Sequence, residues 1–196
     1  MIRLFLYIKH HCPFLWQMIE SLNSFLFYVR YRNKLKSINS LIAKTKKKTS
    51  YQIILLSKDD MLELSRFFSK QPKESFIFFK PHDFDYKSLV RKNGDKSFIM
   101  LGVKDKGQLI GYGFLRCFMN GKSFRGKIVD IHHQGKGIAK YLGETMTLLA
   151  ENLDLRLFAT ISKDNVKSIA SSKAVNNIRI IKELPDNYLY VEYLKK

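Results

Sequence analysis

Little in this chain could staple it covalently or hold a metal. Cys12 and Cys117 are its only cysteines. They lack metal-ligand spacing and are too few for a disulfide scaffold, which suits a reducing cytosol. The five histidines fall as His10-His11, His82 and His132-His133, with no i, i+4 pair to build a helical zinc site. Acids are scarce as well, with 17 Asp and Glu against 35 Lys and Arg and a net charge of +18. They are thin between residues 70 and 130, so a pocket for a polycationic acceptor is not expected. No uncharged run in the apolar first 29 residues reaches the roughly 18 needed to cross a bilayer, because Glu20 interrupts it. No small-residue cleavage site follows, which argues against a signal peptide. Internal repeats are absent, as is any low-complexity tract beyond a short lysine run.

What remains is ample for a core. The 196 residues leave room for one domain of ordinary size plus an appendage, and 45% apolar and 13% aromatic content excludes a disordered chain. The basic excess is uneven: residues 1–50 carry ten Lys and Arg and a single acid, Glu20. Such a balance favours an anionic partner. In this same quarter Leu15, Met18, Leu22, Phe25 and Val29 recur in 3–4–3–4 steps, one stripe of a helix beginning near Pro13. Arg30, Arg32, Lys34 and Lys36 follow, then Lys44, Lys46, Lys47 and Lys48. A stripe beside a polybasic segment suits an anionic membrane surface met through residues 1–48. It also suits packing on the chain's own body or on a second copy, as a homodimer. The boundary expected is residues 1–49 for this extension and 50–196 for the folded domain.

From Tyr51 the pattern turns regular. A short strand over 51–56 leads to Ser57-Lys58-Asp59-Asp60, a helix N-cap with acids in the first turn. Its helix carries Met61, Leu64, Phe67 and Phe68 on one side. An aromatic stretch follows, with Phe76, Phe78, Phe79, His82, Phe84 and Tyr86, then a short helix over about 85–92. Strands are expected at 98–103, 109–118 and 124–131, the last two joined by the hairpin signal Asn120-Gly121. A helix over 137–152, a strand over 155–161, a helix over 164–175 and strands over 178–184 and 188–194 complete the chain.

The stretch His132-His133-Gln134-Gly135-Lys136-Gly137-Ile138-Ala139 joins the third of those strands to the longest of the later helices. A chain leaving a strand, passing two glycines and entering a helix aims several free backbone N–H groups at one point. The positive end of the helix dipole lies there too, so a phosphate or pyrophosphate is the natural occupant. A P-loop would need Ser or Thr after Lys136, where Gly137 stands. A dinucleotide fingerprint would need glycine at Lys140.

The pattern Gln134-x-x-Gly137-x-Ala139 resembles the acetyl-CoA loop of the GNAT superfamily of N-acetyltransferases, and the element order over 51–196 is similar throughout. That resemblance implies an α/β (α+β) fold with a mixed, mostly antiparallel central sheet flanked by helices, here with an N-terminal amphipathic helical extension. It implies acetyl-CoA as donor, no metal, and a primary amine as acceptor. The backbone of Gly135, Lys136, Gly137, Ile138 and Ala139 would hold the pyrophosphate, with Gln134 ordering the loop. The strand edge at Val129 and Ile131, together with Asn165, would hold the pantetheine arm. Where the family usually carries a proton-donating tyrosine this chain has Ser172, and the usual Tyr-x-x-x-Gly-Phe ending is absent. A period of two along the strand puts Asp130 and His132 on one face as candidate bases, an alternative for Asp130 being a salt bridge to Arg116 or Arg125. Phe79, His82, Phe84 and Arg116 are the expected acceptor contacts, with Phe78, Lys80 and Tyr86 nearby.

As a whole the chain resembles members from bacterial surface-polysaccharide pathways. This implies an amino sugar linked to a nucleotide or a lipid, acetylated at the cytoplasmic face of the membrane. Two further readings stand beside it: a protein or small-molecule amine as acceptor, and a non-catalytic basic protein on a degenerate acetyltransferase domain. Nucleic acid is not an expected partner.

Overall fold

The structure is a computed structural model describing residues 12–45 and 50–196. Residues 1–11 and 46–49, among them Lys46, Lys47 and Lys48 of the basic run, lie outside the described residues. The chain forms helix α1 (Pro13–Leu35), helix α2 (Ile38–Lys44) and strand β1 (Tyr51–Leu55). Helices α3 (Met61–Ser69) and α4 (Tyr86–Gly94) follow, then β2 (Phe98–Asp105), β3 (Gln108–Cys117) and β4 (Lys122–Val129). Helix α5 (Ile138–Asn152), β5 (Arg156–Ser162), α6 (Val166–Lys173), β6 (Asn177–Leu184) and β7 (Tyr188–Leu194) end it. One seven-stranded sheet runs in the order β1-β2-β3-β4-β5-β7-β6. Every pairing is antiparallel except β4 with β5. The mixed, mostly antiparallel sheet expected from the sequence is therefore present.

Alternation along the strands sends residues to two faces. One face buries Met100, Tyr112, Phe114 and Ile128 against Leu64, Phe67, Phe68 and Leu89 of α3 and α4. The other buries Leu101, Val103, Leu115 and Val129 against Leu142, Met146 and Leu149 of α5, with Ile38 and Ile42 of α2. Helix α2 lies inside what the charge pattern marks as a polybasic segment; Ile38 and Ile42, one turn apart, are the apolar signal within it.

The apolar stripe of α1 does not meet the body of the protein. Phe14, Leu15, Met18, Leu22, Phe25 and Val29 are all exposed, Phe14 by 72% and Phe25 by 63%. At 100° per residue the opposite side carries Glu20, Asn23, Ser24, Phe27, Tyr31 and Lys34, and this side docks. The reason is visible in the groups it meets, the ends of β3 and the starts of β2 and β5. Backbone groups there have no ladder partner, and buried ones must be satisfied. Asn23 Nδ2 donates to the Cys117 carbonyl (3.0 Å) and the Met119 N–H donates to Asn23 Oδ1 (3.1 Å). The Lys96 N–H donates to Ser24 Oγ (2.9 Å), and Arg30 donates to the Met119 carbonyl (2.8 Å). Glu20 pairs with Arg116 (3.0 Å) and Lys92 (3.4 Å), and Lys34 pairs with Asp154. Phe27 and Tyr31 complete the seal, their rings tilted against one another and buried in the core.

Candidate active site

At the other end of the sheet the strands part. β4 and β5 pair only at Lys122↔Arg156, Ser123↔Leu157 and Phe124↔Phe158, and then separate. The Asp130 N–H is spent on the Ile110 carbonyl of β3 (2.9 Å). By the alternation of the ladder, the Val129 N–H and carbonyl therefore face the gap on the β5 side.

The loop of Gln134 to Ala139 stands at the mouth of that gap. Gly135 and Gly137 take φ of +76° and +79°, a region that residues with a Cβ rarely adopt, and no heavy atom lies within 4 Å of where either Cβ would be. Gly137 caps α5, whose first turn holds no acid. The first N–H groups of this 15-residue helix thus lack intrahelical partners and open outward. Gln134 Oε1 accepts from Lys167 Nζ (3.1 Å), tying the loop to the first turn of α6. Asn165 caps α6, its Oδ1 accepting from the Ser168 N–H (3.0 Å). An open nest of N–H groups at a helix start, ringed by Lys136, Lys140 and Lys167, fits a pyrophosphate. The parted strands offer a slot with free backbone groups for an amide-bearing arm.

On the α3/α4 side of the same strand end, the structure joins a different pair from the one expected. β4 stops at Val129 and the chain turns through a 3-10 helix, Ile131–His133. A turn of three residues replaces the strand period of two, so His133, not His132, comes round to Asp130. His133 Nδ1 lies 2.6 Å from Asp130 Oδ2, while His132 is exposed. Gln71, buried at the end of α3, donates to Asp130 Oδ1 (3.1 Å). Burial pushes the Asp130 carboxyl up, but hydrogen bonds from His133 and Gln71 and the charge of His133 outweigh it and hold the group below its ordinary range. A carboxylate at Nδ1 fixes the tautomer with the proton on that nitrogen, which leaves the Nε2 lone pair free to accept one. Neither Arg116 nor Arg125 contacts Asp130 by an ion pair: the first holds Glu20, and the second bonds the Gly143 carbonyl (3.4 Å) and Thr147 (3.0 Å).

The remaining expected residues divide. Arg116 pairs with Phe124 in the ladder, at the far end of β4 from Val129, and is held there by α1. His82 is a half-buried ring against the aromatic cluster, its Nδ1 on the Asp83 carbonyl (2.7 Å) and its Nε2 on the Tyr112 hydroxyl (3.0 Å). Desolvation by burial lowers its pKa, so the ring stays neutral. Phe84 stacks on Phe68 with centroids 4.1 Å apart, and Phe79 packs on the same cluster. Exposed on the loop beside Gln71 are instead Ile77 and Phe78, with Lys70, Lys73 and Lys80 around them. Ser172 is buried, its Oγ 3.2 Å from the Tyr193 hydroxyl. Sequence reasoning missed His133, Gln71 and Tyr193. His133 was visible as a histidine three residues from an acid, had the strand been ended two residues earlier. Among the described residues no cluster of three or more His, Cys, Asp or Glu could hold a metal ion.

These features coincide with known proteins. Residues 60–172 match the model of the acetyltransferase (GNAT) family. Among solved structures, the chain is similar to the GNAT domain of PAT from S. lividans, at 18% identity over 73% of this chain and 89% of that one, with a TM-score of 0.63. It is also similar to the ribosomal-protein-S5-alanine acetyltransferase of Vibrio fischeri, at 17% identity over 77% and 96% of the two chains, with a TM-score of 0.64. The aminoglycoside acetyltransferase AAC(6')-Ib, solved with acetyl-CoA and an aminoglycoside, matches at 14% identity over 76% and 94%, with a TM-score of 0.59. No curated protein matches the sequence. The chain belongs to the GNAT family of acetyltransferases. It is an N-acetyltransferase whose donor is acetyl-CoA.

Proposed function

We propose that this enzyme acetylates the primary amine of a nucleotide-linked amino sugar used in surface-polysaccharide assembly, with His133 as general base and Asp130 as the group that orients it. The observation that carries this reading is the Gln71–Asp130–His133 set, which opens beside a loop bearing exposed Ile77 and Phe78 among Lys70, Lys73 and Lys80. Apolar and aromatic surface suits a sugar or base, and the lysines suit a diphosphate. A polycationic acceptor would meet like charge there. Bound acetyl-CoA supplies an activated thioester carbonyl. His133 Nε2 takes the proton that an ammonium must lose to become nucleophilic, Asp130 stabilises the imidazolium that results, and the Val129 N–H faces the gap where the carbonyl oxygen gains charge.

The test is thiol release from acetyl-CoA with a panel of nucleotide-linked amino sugars, an aminoglycoside and a peptide with a free N-terminal alanine. Turnover confined to the sugars supports the proposal. Turnover of the peptide alone would replace it with a protein acceptor, and no turnover beside intact acetyl-CoA binding would favour the non-catalytic alternative.

The exposed stripe of α1 supports a second part of the proposal, contact with the anionic inner face of the cytoplasmic membrane. The helix is roughly 34 Å long at 1.5 Å per residue, and its stripe has no cover among the described residues. The acid on this helix, Glu20, is turned inward to Arg116 and Lys92, while Arg30, Arg32 and Lys36 stay exposed. Two copies brought together along the stripe would set these cations against one another without exposed acids of α1 to pair them, whereas anionic lipid complements them. The helix lies at the opposite end of β4 from His133, roughly 25 Å away for an eight-residue strand. An amine held at the bilayer by a short lipid diphosphate would not reach the site, which favours the nucleotide-linked over the lipid-linked sugar. Wild-type protein should sediment with vesicles rich in phosphatidylglycerol, and the double variant Leu22→Glu with Phe25→Glu should not. If both sediment equally, the membrane contact is wrong. If the variant instead converts a dimer to a monomer in analytical ultracentrifugation, the stripe belongs to a second copy.

A further inference from the structure

One buried group is left unexplained by the acetyl-transfer chemistry described so far. Lys127 lies on β4 three residues past its last pairing with β5, on the α5/α6 side and so within the opening between the strands. The residue as a whole keeps some surface, but its Nζ is sealed from solvent and has no hydrogen-bond partner among the described residues. The tip lies 3.2 Å from where a Cβ on Gly143 would stand, and Val175 closes the same space, so a side chain at 143 would press on the amine by a few tenths of an ångström. Among the described residues the groups around it offer no counter-charge. Arg125, its neighbour on the same face of β4, is itself buried with Nη2 unpartnered. Tyr193 of β7 lies under the Arg125 guanidinium at 3.5 Å, and its hydroxyl is bonded to Ser172, the inward residue of α6. β5 contributes Ala159 and Ile161, and Glu144 of α5, next to Gly143, pairs with Lys140. Burial, with the charge of Arg125 second, pushes the Lys127 pKa down to about 7.

A buried amine without a partner is costly and calls for an occupant. Its place on the stretch of β4 that has parted from β5 borders the slot read above as taking the pantetheine arm, and acetyl transfer creates one anion on that arm, the sulfur expelled from the thioester. We propose that Lys127 is the catalytic acid that protonates the departing thiolate. As the acceptor nitrogen bonds to the carbonyl carbon, the C–S bond breaks with its electron pair going to sulfur. One proton passes from Lys127 Nζ to that sulfur, giving a neutral thiol and a neutral lysine, which regains a proton from water before the next turnover. The acceptor nitrogen loses two protons on its way from ammonium to amide: His133 takes the first before attack and passes it to water, then takes the second as the C–N bond forms. Ser172, where a phenol was expected, then need not donate.

This inference rests on the acetyl-transfer reading, and the experiment separates the two. Lys127→Met should fold, with a melting temperature at or above that of wild type, because an apolar chain replaces an unpaired buried amine. Its kcat should fall about ten- to a hundredfold, with KM for acetyl-CoA within about twofold. In wild type the rate should decline as pH rises through the Lys127 pKa, since the acid must be protonated. That limb should vanish in Lys127→Met and move to higher pH in Lys127→Arg. Binding gives a readout independent of turnover: by calorimetry, wild type should prefer CoA to desulfo-CoA by about tenfold, an ionic hydrogen bond's worth, and Lys127→Met should bind both alike. If Lys127→Met keeps the wild-type kcat, pH profile and preference for CoA, this inference fails while acetyl transfer stands. An acetyl group on Lys127 of wild type after incubation with acetyl-CoA would make it a nucleophile and overturn the proposal. A wild type that binds neither CoA nor acetyl-CoA would sink the parent reading itself.

Discussion

The two ends of the sheet are finished in opposite ways. At the end where α1 docks, backbone groups that the strands leave open are taken by side chains: Asn23, Ser24 and Arg30 answer Cys117, Met119 and Lys96. At the other end the chain leaves polar groups unanswered. Two glycines hold a loop open, a helix begins without a capping side chain, and Lys127 Nζ and Gln71 Oε1 lack partners among the described residues. Stability is concentrated where groups are satisfied, and binding capacity where they are not. Substitutions at the α1 end should therefore move the melting temperature, and those at the loop end the kinetics.

The largest effect should come from the closed end. Phe27 is fully buried on the inward side of α1, so Phe27→Ala should cost about 3–5 kcal/mol in unfolding free energy by chemical denaturation, while kcat in the folded protein changes little. A fall in kcat without loss of stability would break the division between the ends. Next comes His133→Gln at the open end, which should lower kcat/KM about a hundred- to a thousandfold and leave the melting temperature nearly unmoved. His132→Gln should do neither; the reverse result would return the base to the residue expected from strand periodicity. Gly137→Ala should raise KM for acetyl-CoA severalfold and destabilise by about 1 kcal/mol, because φ of +79° suits glycine alone.

The smallest effect concerns His82, which lies against the aromatic cluster between the ends. Its pKa is lowered in the folded state, so as pH falls the unfolded chain takes the proton first. The stability tied to the neutral ring is thus present above about pH 6.5, the ordinary value for histidine, and is lost as pH falls below it. The melting temperature should drop between pH 7.5 and 5.5, less steeply in His82→Gln. An identical slope in both would mean that the ring is not held neutral.

The fold was largely legible before any coordinates. Strand alternation, the Asn120-Gly121 hairpin and the glycine loop are local signals, and they fix elements to within one or two residues. The open site was half legible. Gly135 and Gly137 announce themselves because their backbone angles strain any residue with a Cβ, whereas Gln71 meets Asp130 only through the packing of α3 on the sheet. Helix α2 was hidden because its charge spoke louder than Ile38 and Ile42.

By itself, then, the sequence determined the order of the elements and the character of the phosphate nest, both of which depend on backbone preferences over a few neighbouring residues. The tertiary structure alone decided three things. It ended β4 at Val129, so that a three-residue turn gave Asp130 its partner in His133. It turned the polar face of α1 inward, because the open backbone groups at the sheet's end needed Asn23, Ser24 and Arg30 more than the core needed Leu22 and Phe25. And it sealed the Lys127 amine against Gly143 and Val175, because the surroundings of a buried group are set by residues far away in the chain.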